Sequence, residues 1–195
     1  LRKVLESQLK KIQHVSNLYE IPEQEVLAKW LVKRSCADKV FFCNSGAEAN
    51  EAAIKLARKF GHIKRGIERP IILCAKSSFH GRTLAALSAT GQPKYQKGFE
   101  PLTEGFDFFN FNDQDSFKEL HTLIEANGPR IAAILIEPIQ GEGGINRGEK
   151  KFFKFLRDIC TKNKILLIFG EVQTGLGRTG SWWGYEHLNI EPDAF

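Results

Sequence analysis

The chain has 195 residues, of which 42% are hydrophobic, 11% aromatic and 26% charged, and its formal net charge is +5. These values are ordinary for a globular protein, and they exclude a disordered tail, a collagen-like repeat and a coiled coil. No apolar run approaches the roughly 18 residues that a membrane-spanning helix needs, so we expect no membrane partner. The basic residues are scattered, and a small anionic ligand accounts for their mild excess as well as a polymer does; we expect no nucleic-acid partner.

Cysteine and histidine patterns give no sign of a disulfide framework or a metal site. The four cysteines lack Cys-x-x-Cys spacing, and the histidines lack the spacing of metal ligands. We therefore expect reduced thiols, a cytoplasmic location and no bound metal. The sequence contains no methionine and ends at Phe195, among residues typical of the start of a strand. We expect it to be a piece of a longer protein.

Helical patterns open the chain. Apolar residues recur at helical spacing over residues 1–15. Pro22, followed by acidic residues, is typical of a first helical turn and predicts a second helix that ends near Arg34. We assign residues 1–35 to an N-terminal helical segment and residues 36–195 to a larger, incomplete domain.

Strand and helix patterns alternate through this larger domain. Strands are predicted at 39–43, 71–75, 106–109, 131–137 and 164–169, with a sixth cut off at 195. Helices are predicted at 47–60, 82–90, 116–126 and 149–163. This alternation predicts an α/β fold with a doubly wound, mostly parallel sheet. Ligands of such folds bind beyond the carboxyl ends of the strands.

The first of these strand ends carries the sequence NSGAEAN, residues 44–50. Small residues open a helix there, and the free amides and dipole of a helix start attract phosphate. An ordinary N-cap formed by Asn44 or Ser45 explains the same residues. Both interpretations stay open on this motif alone.

The second strand end carries an aromatic ring, an imidazole and a guanidinium within residues 77–83. Phe79 can stack on a planar ligand, and Arg82 can bind a carboxylate through two hydrogen bonds. The alternative is that Phe79 belongs to the core and Arg82 is a solvated helix start. His80 is expected to be structural, because a lone histidine is more often structural than catalytic.

Two later loops are rich in glycine. The loop at 137–144 presents Glu142 at a strand end, either to a ligand or simply within a flexible connection. Residues 175–180 match the pattern G-x-G-x-x-G, but no strand directly precedes them and an aromatic loop follows. We therefore reject a dinucleotide site.

Taken together, these motifs resemble the class III pyridoxal-phosphate-dependent aminotransferases, and most closely their acetylornithine subgroup. The resemblance covers nearly the whole chain from about His14. It rests on five motifs in the family's order: NSGAEANEAAIKLAR, SFHGRT, SATGQPKYQ, EPIQGEGG and EVQTGLGRTG with WGYEH. It implies the large domain of the fold-type I transferases, truncated at its C-terminus and without the small domain.

The resemblance implies a cofactor, pyridoxal 5′-phosphate, and residues to hold it. The backbone of Gly46 and Ala47 would bind the phosphate, and Phe79 would stack on the pyridine ring. Four consecutive residues would line the cofactor, the last of them hydrogen-bonding its phenolic oxygen: Gly170, Glu171, Val172 and Gln173.

The resemblance also implies a small amino-acid substrate and a homodimer. Arg82 would hold the substrate carboxylate, and Glu142 would gate an arginine between the two half-reactions. The expected reaction is transfer of the amino group of N-acetylornithine to 2-oxoglutarate. Alternatives are ornithine or 4-aminobutyrate as amino donor, or a non-catalytic relic that binds the cofactor or nothing.

Two departures from the family concern catalysis. The family has an aspartate, paired with the pyridine nitrogen, where this chain has Gly170. Glu171 is adjacent, but successive side chains of an extended segment point to opposite faces. No catalytic residue is assigned here, because the lysine that bonds to the cofactor is expected beyond Phe195. Lys76, at a strand end near Phe79, is a weaker candidate without precedent in the family.

Overall fold

The computed structural model describes residues 1–11, 13–16 and 18–195. It divides into two compact units, residues 1–40 and 41–195, whereas the sequence patterns place a boundary after residue 35.

The first unit contains two helices, α1 (Arg2–Gln8) and α2 (Pro22–Val32). Helix α2 agrees with the prediction, because Pro22 and two acidic residues occupy its first turn. Helix α1 is shorter than the predicted span of 1–15. Leu5 in this helix and Leu9 directly after it are exposed, so burial does not stabilise further turns. Ile12, on which the longer helix also depended, lies outside the described residues.

The second unit is built on a parallel sheet. Its strands are β1 (Ile71–Ala75), β2 (Phe106–Phe109), β3 (Ile131–Ile136), β4 (Ile139–Gln140), β5 (Asn146–Arg147) and β6 (Leu166–Phe169). Four of them pair in the order β2-β1-β3-β6, all parallel. The remaining two, β4 and β5, form an antiparallel hairpin. The predicted sixth strand is present as a single parallel bridge between Ile168 and Ala194.

Helices cover both faces of this sheet, as a doubly wound fold requires. They are α3 (Gly46–Arg65), α4 (Leu84–Ala89), α5 (Pro93–Gln96), α6 (Gln114–Asn127) and α7 (Lys150–Asn163). On one face, Ile54 and Ala57 of α3 pack with alternate residues of β1, β3 and β6. On the other face, the ring of Phe153 in α7 lies edge-on to Phe169, with centroids 5.2 Å apart. The central strands β1 and β3 are buried along their whole length, which explains their uninterrupted apolar sequence.

The predicted strand at 39–43 is wrong for the structure described here. These residues are not assigned to a strand, and Phe41 is 71% exposed. A strand is stabilised by pairing with a neighbour, and an apolar sequence cannot form the ladder alone. Among the described residues, none pairs with this segment.

Helix α3 is longer than predicted, and its buried stripe is rotated. It begins at Gly46 and ends at Arg65, followed by Gly66 in a left-handed conformation with φ of 64°. Its buried residues are Asn50, Ile54, Ala57 and Gly61. Leu56, which the sequence analysis counted in the apolar stripe, is half exposed.

Close packing in the second unit predicts one large effect of a small substitution. An added methyl group at the buried Gly148 would overlap the ring of Phe153. We expect Gly148→Ala to lower the free energy of unfolding by about 1–3 kcal/mol, as overpacking does. Gly141→Ala is the control, because the nearest atom there would be 3.6 Å away. Urea denaturation measures both, and equal midpoints would contradict the packing argument.

The described part of the chain contains no helix that is both long and apolar enough to cross a membrane.

Candidate functional site

The carboxyl ends of β1, β3 and β6 meet at one edge of the sheet because the strands are parallel. Each end continues into a segment that the sequence analysis singled out: residues 77–83, 137–144 and 170–175. The N-terminus of α3 lies at the same edge.

Helix α3 begins with a well-formed cap. The Ser45 hydroxyl accepts a hydrogen bond from the Glu48 amide at 3.2 Å. The Glu48 carboxylate in turn accepts bonds from the backbone and side-chain amides of Asn44, at 2.6 and 2.9 Å. The cap interpretation of this motif is thus observed. It leaves the phosphate interpretation open, because the first amides of a helix have no partner within the helix.

Two glycines allow the other segments to approach this helix start closely. A methyl group added at Gly46 would lie 2.8 Å from Cγ1 of Val172. One added at Gly81 would lie 2.8 Å from Cβ of Ala47. Real side chains do not come so close, so both positions need glycine. The segments after β1 and β6 therefore both lie against the first turn of α3.

The segment after β1 carries a partly exposed aromatic cluster. The ring of the half-buried Phe79 meets the ring of Tyr95 edge-on, with centroids 5.6 Å apart. The exposed Arg82 lies over the same tyrosine, with Cζ 5.7 Å from its centroid. Phe79 and Arg82 are thus neighbours through Tyr95, a residue of the SATGQPKYQ motif for which the sequence predicted no role.

His80, between them, is fully enclosed. Its two ring nitrogens have no hydrogen-bond partner among the described residues. Burial lowers the pKa of the imidazole to about 4, so the ring is neutral near pH 7. A neutral buried ring agrees with the structural role predicted for it.

Glu137 is a buried carboxyl directly after β3, and the sequence analysis missed it. Its Oε2 accepts a hydrogen bond from the Phe79 amide at 3.3 Å. Burial raises its pKa to about 8; the bond from Phe79 opposes the shift, and the charge of Glu142 adds to it. A polar residue that directly follows an apolar strand in a glycine-rich motif is the signal that could have identified it.

Gly170 lies beside this carboxyl. A methyl group added at Gly170 would be 3.3 Å from Cγ of Glu137. The Gly170 amide is fixed by a 2.8 Å hydrogen bond to the carbonyl of Ile136. Position 170 and Glu137 therefore face the same small volume at the end of the sheet.

Glu171 points to the opposite side, as alternation along an extended segment predicts. Its buried carboxylate accepts hydrogen bonds from the amides of Gly184 and Tyr185, at 2.9 and 2.8 Å, and from the Thr174 hydroxyl. Both carboxylate oxygens are thus engaged by the chain itself. Glu171 holds the segment at 170–175 in place.

The remaining residues predicted for the site lie at its exposed rim. Val172 is 61% exposed and lies against Gly46. Gln173 is also exposed, and its Cγ lies 3.6 Å from the position that a methyl group on Gly141 would take. Glu142 is exposed on the loop between β4 and β5. That loop is closed by the hairpin and by a 3.2 Å bond from the Gly144 amide to the Gly141 carbonyl. It is therefore an ordered turn, where the sequence left a flexible connection open.

Lys76 is engaged elsewhere. Its Nζ forms a 3.1 Å ion pair with the carboxylate of Glu119 in α6. The side chain therefore extends toward α6, on the side of β2. This pairing weighs against Lys76 as a substitute for the lysine expected beyond Phe195.

The pKa of Glu137 predicts a dependence of stability on pH. Because the folded-state pKa of about 8 lies above the usual value of 4.5, folding favours the protonated form. The stabilisation is complete below pH 4.5 and is lost as the pH rises toward 8. We expect the unfolding free energy of the wild type to fall relative to Glu137→Gln across this window, by on the order of a few kcal/mol. Urea denaturation of both proteins at several pH values measures the difference, and parallel profiles would contradict the assignment.

Three features of the site bear on its fit to pyridoxal phosphate. The amides of Gly46 and Ala47, at the start of α3, have no partner within the helix, which suits a phosphate. The partly exposed ring of Phe79 suits an aromatic ligand, and Glu137 offers a buried carboxyl to a ring nitrogen. The residues present fit the cofactor. In the described ranges, no cluster of three or more histidine, cysteine or acidic side chains is arranged to bind a metal.

Comparisons with known proteins agree with this arrangement. The sequence model of the class III aminotransferases matches residues 1–195. An acetylornithine aminotransferase of Prochlorococcus marinus strain SARG is 76% identical over 195 residues, which are all of this chain and 46% of that protein. One of Synechocystis sp. PCC 6803 is 58% identical over 196 aligned residues, again 46% of its length. The chain thus spans somewhat less than half of these curated relatives.

Solved structures share the fold. An (S)-enantioselective omega-transaminase of Thermomicrobium roseum superposes with a TM-score of 0.92 and 33% identity, over 98% of this chain and 47% of that one. An ornithine aminotransferase of Toxoplasma gondii, with PLP at partial occupancy in its active site, gives 0.89 and 29% over 98% and 45%. The chain belongs to the class III aminotransferase family.

Proposed function

We propose that the protein acts as a pyridoxal-phosphate-dependent aminotransferase that transfers the amino group of N-acetylornithine to 2-oxoglutarate. One observation carries the proposal. The segments after β1 and β6 lie against the first turn of α3, through the contacts of Gly81 with Ala47 and of Gly46 with Val172. The segment after β3 joins them through the hydrogen bond from the Phe79 amide to Glu137. The name of the relative that is 76% identical supports the choice of substrate.

Several residues of this chain would each bind a different part of the cofactor. The amides of Gly46 and Ala47 would hold the phosphate, Phe79 would pack on one face of the ring, and Gln173 would bond its phenolic oxygen. Pyridoxal phosphate supplies an electron-withdrawing ring that allows amino and proton transfer.

Substrate binding would fall to Arg82 and Glu142. Arg82 is exposed, and its guanidinium lies over the ring of Tyr95. The guanidinium is therefore accessible to a substrate carboxylate. Glu142, on its ordered turn, would pair with an arginine supplied from elsewhere in the protein. We also propose a homodimer as the assembled state.

A chimera tests the reaction. This chain replaces the 195 matching residues of the Prochlorococcus marinus strain SARG relative, and amino transfer to 2-oxoglutarate is measured with N-acetylornithine, ornithine and 4-aminobutyrate. We expect N-acetylornithine to give the highest kcat/KM, and Arg82→Gln to raise its KM at least tenfold. A higher kcat/KM for another donor would overturn the substrate, and size-exclusion chromatography tests the dimer.

A further inference from the structure

Glu137 is a buried carboxyl that forms few hydrogen bonds with the rest of the chain. It is 7% exposed at the end of β3, and the amide of Phe79 bonds one of its oxygens. Its other oxygen accepts no hydrogen bond from the residues that the structure describes. By contrast, the buried Glu171 is satisfied by three donors. A buried carboxyl with spare capacity usually has a further partner.

The position of Glu137 indicates where that partner lies. Its carboxyl borders the volume at Gly170 and the backbone of Phe79, whose ring is the proposed platform for the cofactor. The two other nearby carboxylates do not compete for this volume. Glu171 faces the loop at 184–185, and Glu142 is exposed on the hairpin.

We propose that Glu137 faces the pyridine nitrogen of the bound cofactor and shares one proton with it, across the space that Gly170 leaves open. The inference rests on the proposed function, because it requires the cofactor. It makes Glu137 a cofactor-binding residue specific to a chain with glycine at position 170.

The proton balance of this contact is simple. Either the Glu137 carboxyl donates its proton to a neutral ring nitrogen, or the protonated nitrogen donates to the carboxylate. One proton is present in both forms, and the pair carries the same net charge. The raised pKa of Glu137 supplies a carboxyl that still holds its proton near pH 7. Burial, and then the charge of Glu142, raise the pKa of Glu137. Burial, and then the charge of Glu137, raise the pKa of the Cys74 thiol, which stays uncharged.

Pyridoxamine 5′-phosphate labelled with ¹⁵N in the ring tests the contact in this chain, because its binding needs no lysine. In the wild type, we expect the bound ring nitrogen to resonate between the pyridine and pyridinium positions. Glutamine can donate to a neutral nitrogen, but its amide oxygen carries no negative charge to stabilise a protonated one. Glu137→Gln should therefore move the signal fully to the pyridine position at pH 7, with the dissociation constant changed less than tenfold.

A second variant and a control distinguish the loss of this contact from misfolding of the protein. Gly170→Asp should move the signal to the pyridinium position, and adding Glu137→Gln to it should then leave the signal there. Glu125→Gln, on the exposed surface of α6, should match the wild type. Binding with an unchanged ¹⁵N shift in Glu137→Gln overturns the inference alone. Absence of binding by the wild type overturns the proposed cofactor and this inference with it.

Discussion

Replacing Gly170 with aspartate is expected to raise kcat for amino transfer in the chimera by on the order of a hundredfold. An ionised carboxylate at this position would hold the ring nitrogen in its protonated form, in which the ring draws electrons most strongly. Glu137, with a pKa of about 8, holds its own proton more firmly and is the weaker partner. A hundredfold corresponds to about 2.7 kcal/mol, typical of one buried electrostatic contact at a reacting centre.

Asparagine at position 170 is the matched control for this prediction. It has the shape of aspartate but no charge, so we expect its gain to stay within a few-fold of the glycine form. A double-mutant cycle adds the coupling: Glu137→Gln should lower kcat strongly with glycine at position 170 and only slightly with aspartate. Equal turnover of the aspartate and asparagine variants would show that the charge at this position is unimportant.

The sheet was predictable because its strands carry a strong and local signal. Strands β1, β3 and β6 are nearly pure apolar runs, and burial on both faces of a parallel sheet requires them to be so. The run at 39–43 carries a similar pattern but is not paired in the described structure. The residues of a segment show that it can form a strand. Whether it does so depends on a neighbouring strand to pair with, and a local sequence pattern does not reveal that neighbour.

The sequence motifs predicted where along the chain the site residues lie, but not which side chains touch one another. Phe79 and Gln173 could be placed near one ligand because each follows a strand end. Gly46 was placed with them because it begins a helix after the predicted strand at 39–43, which the structure does not form. The edge-on contact of Phe79 with Tyr95 joins residues from different elements, and no spacing rule contains it. Glu137 was missed for a related reason: its proximity to Gly170 depends on the register of β3 with β6, in which Ile136 faces Phe169.

Glu171→Ala is expected to lower the free energy of unfolding by about 3 kcal/mol or more. The substitution removes the acceptor of two buried backbone amides, Gly184 and Tyr185, and of the Thr174 hydroxyl. Each buried donor left without a partner costs about 1–3 kcal/mol. Glu191→Ala is the control, since that side chain is exposed nearby and its loss should change stability by less than about 0.5 kcal/mol. Urea denaturation of the two variants measures the difference. A stability of Glu171→Ala within 1 kcal/mol of the control would mean that water replaces the carboxylate, and that the loop at 184–185 does not depend on it.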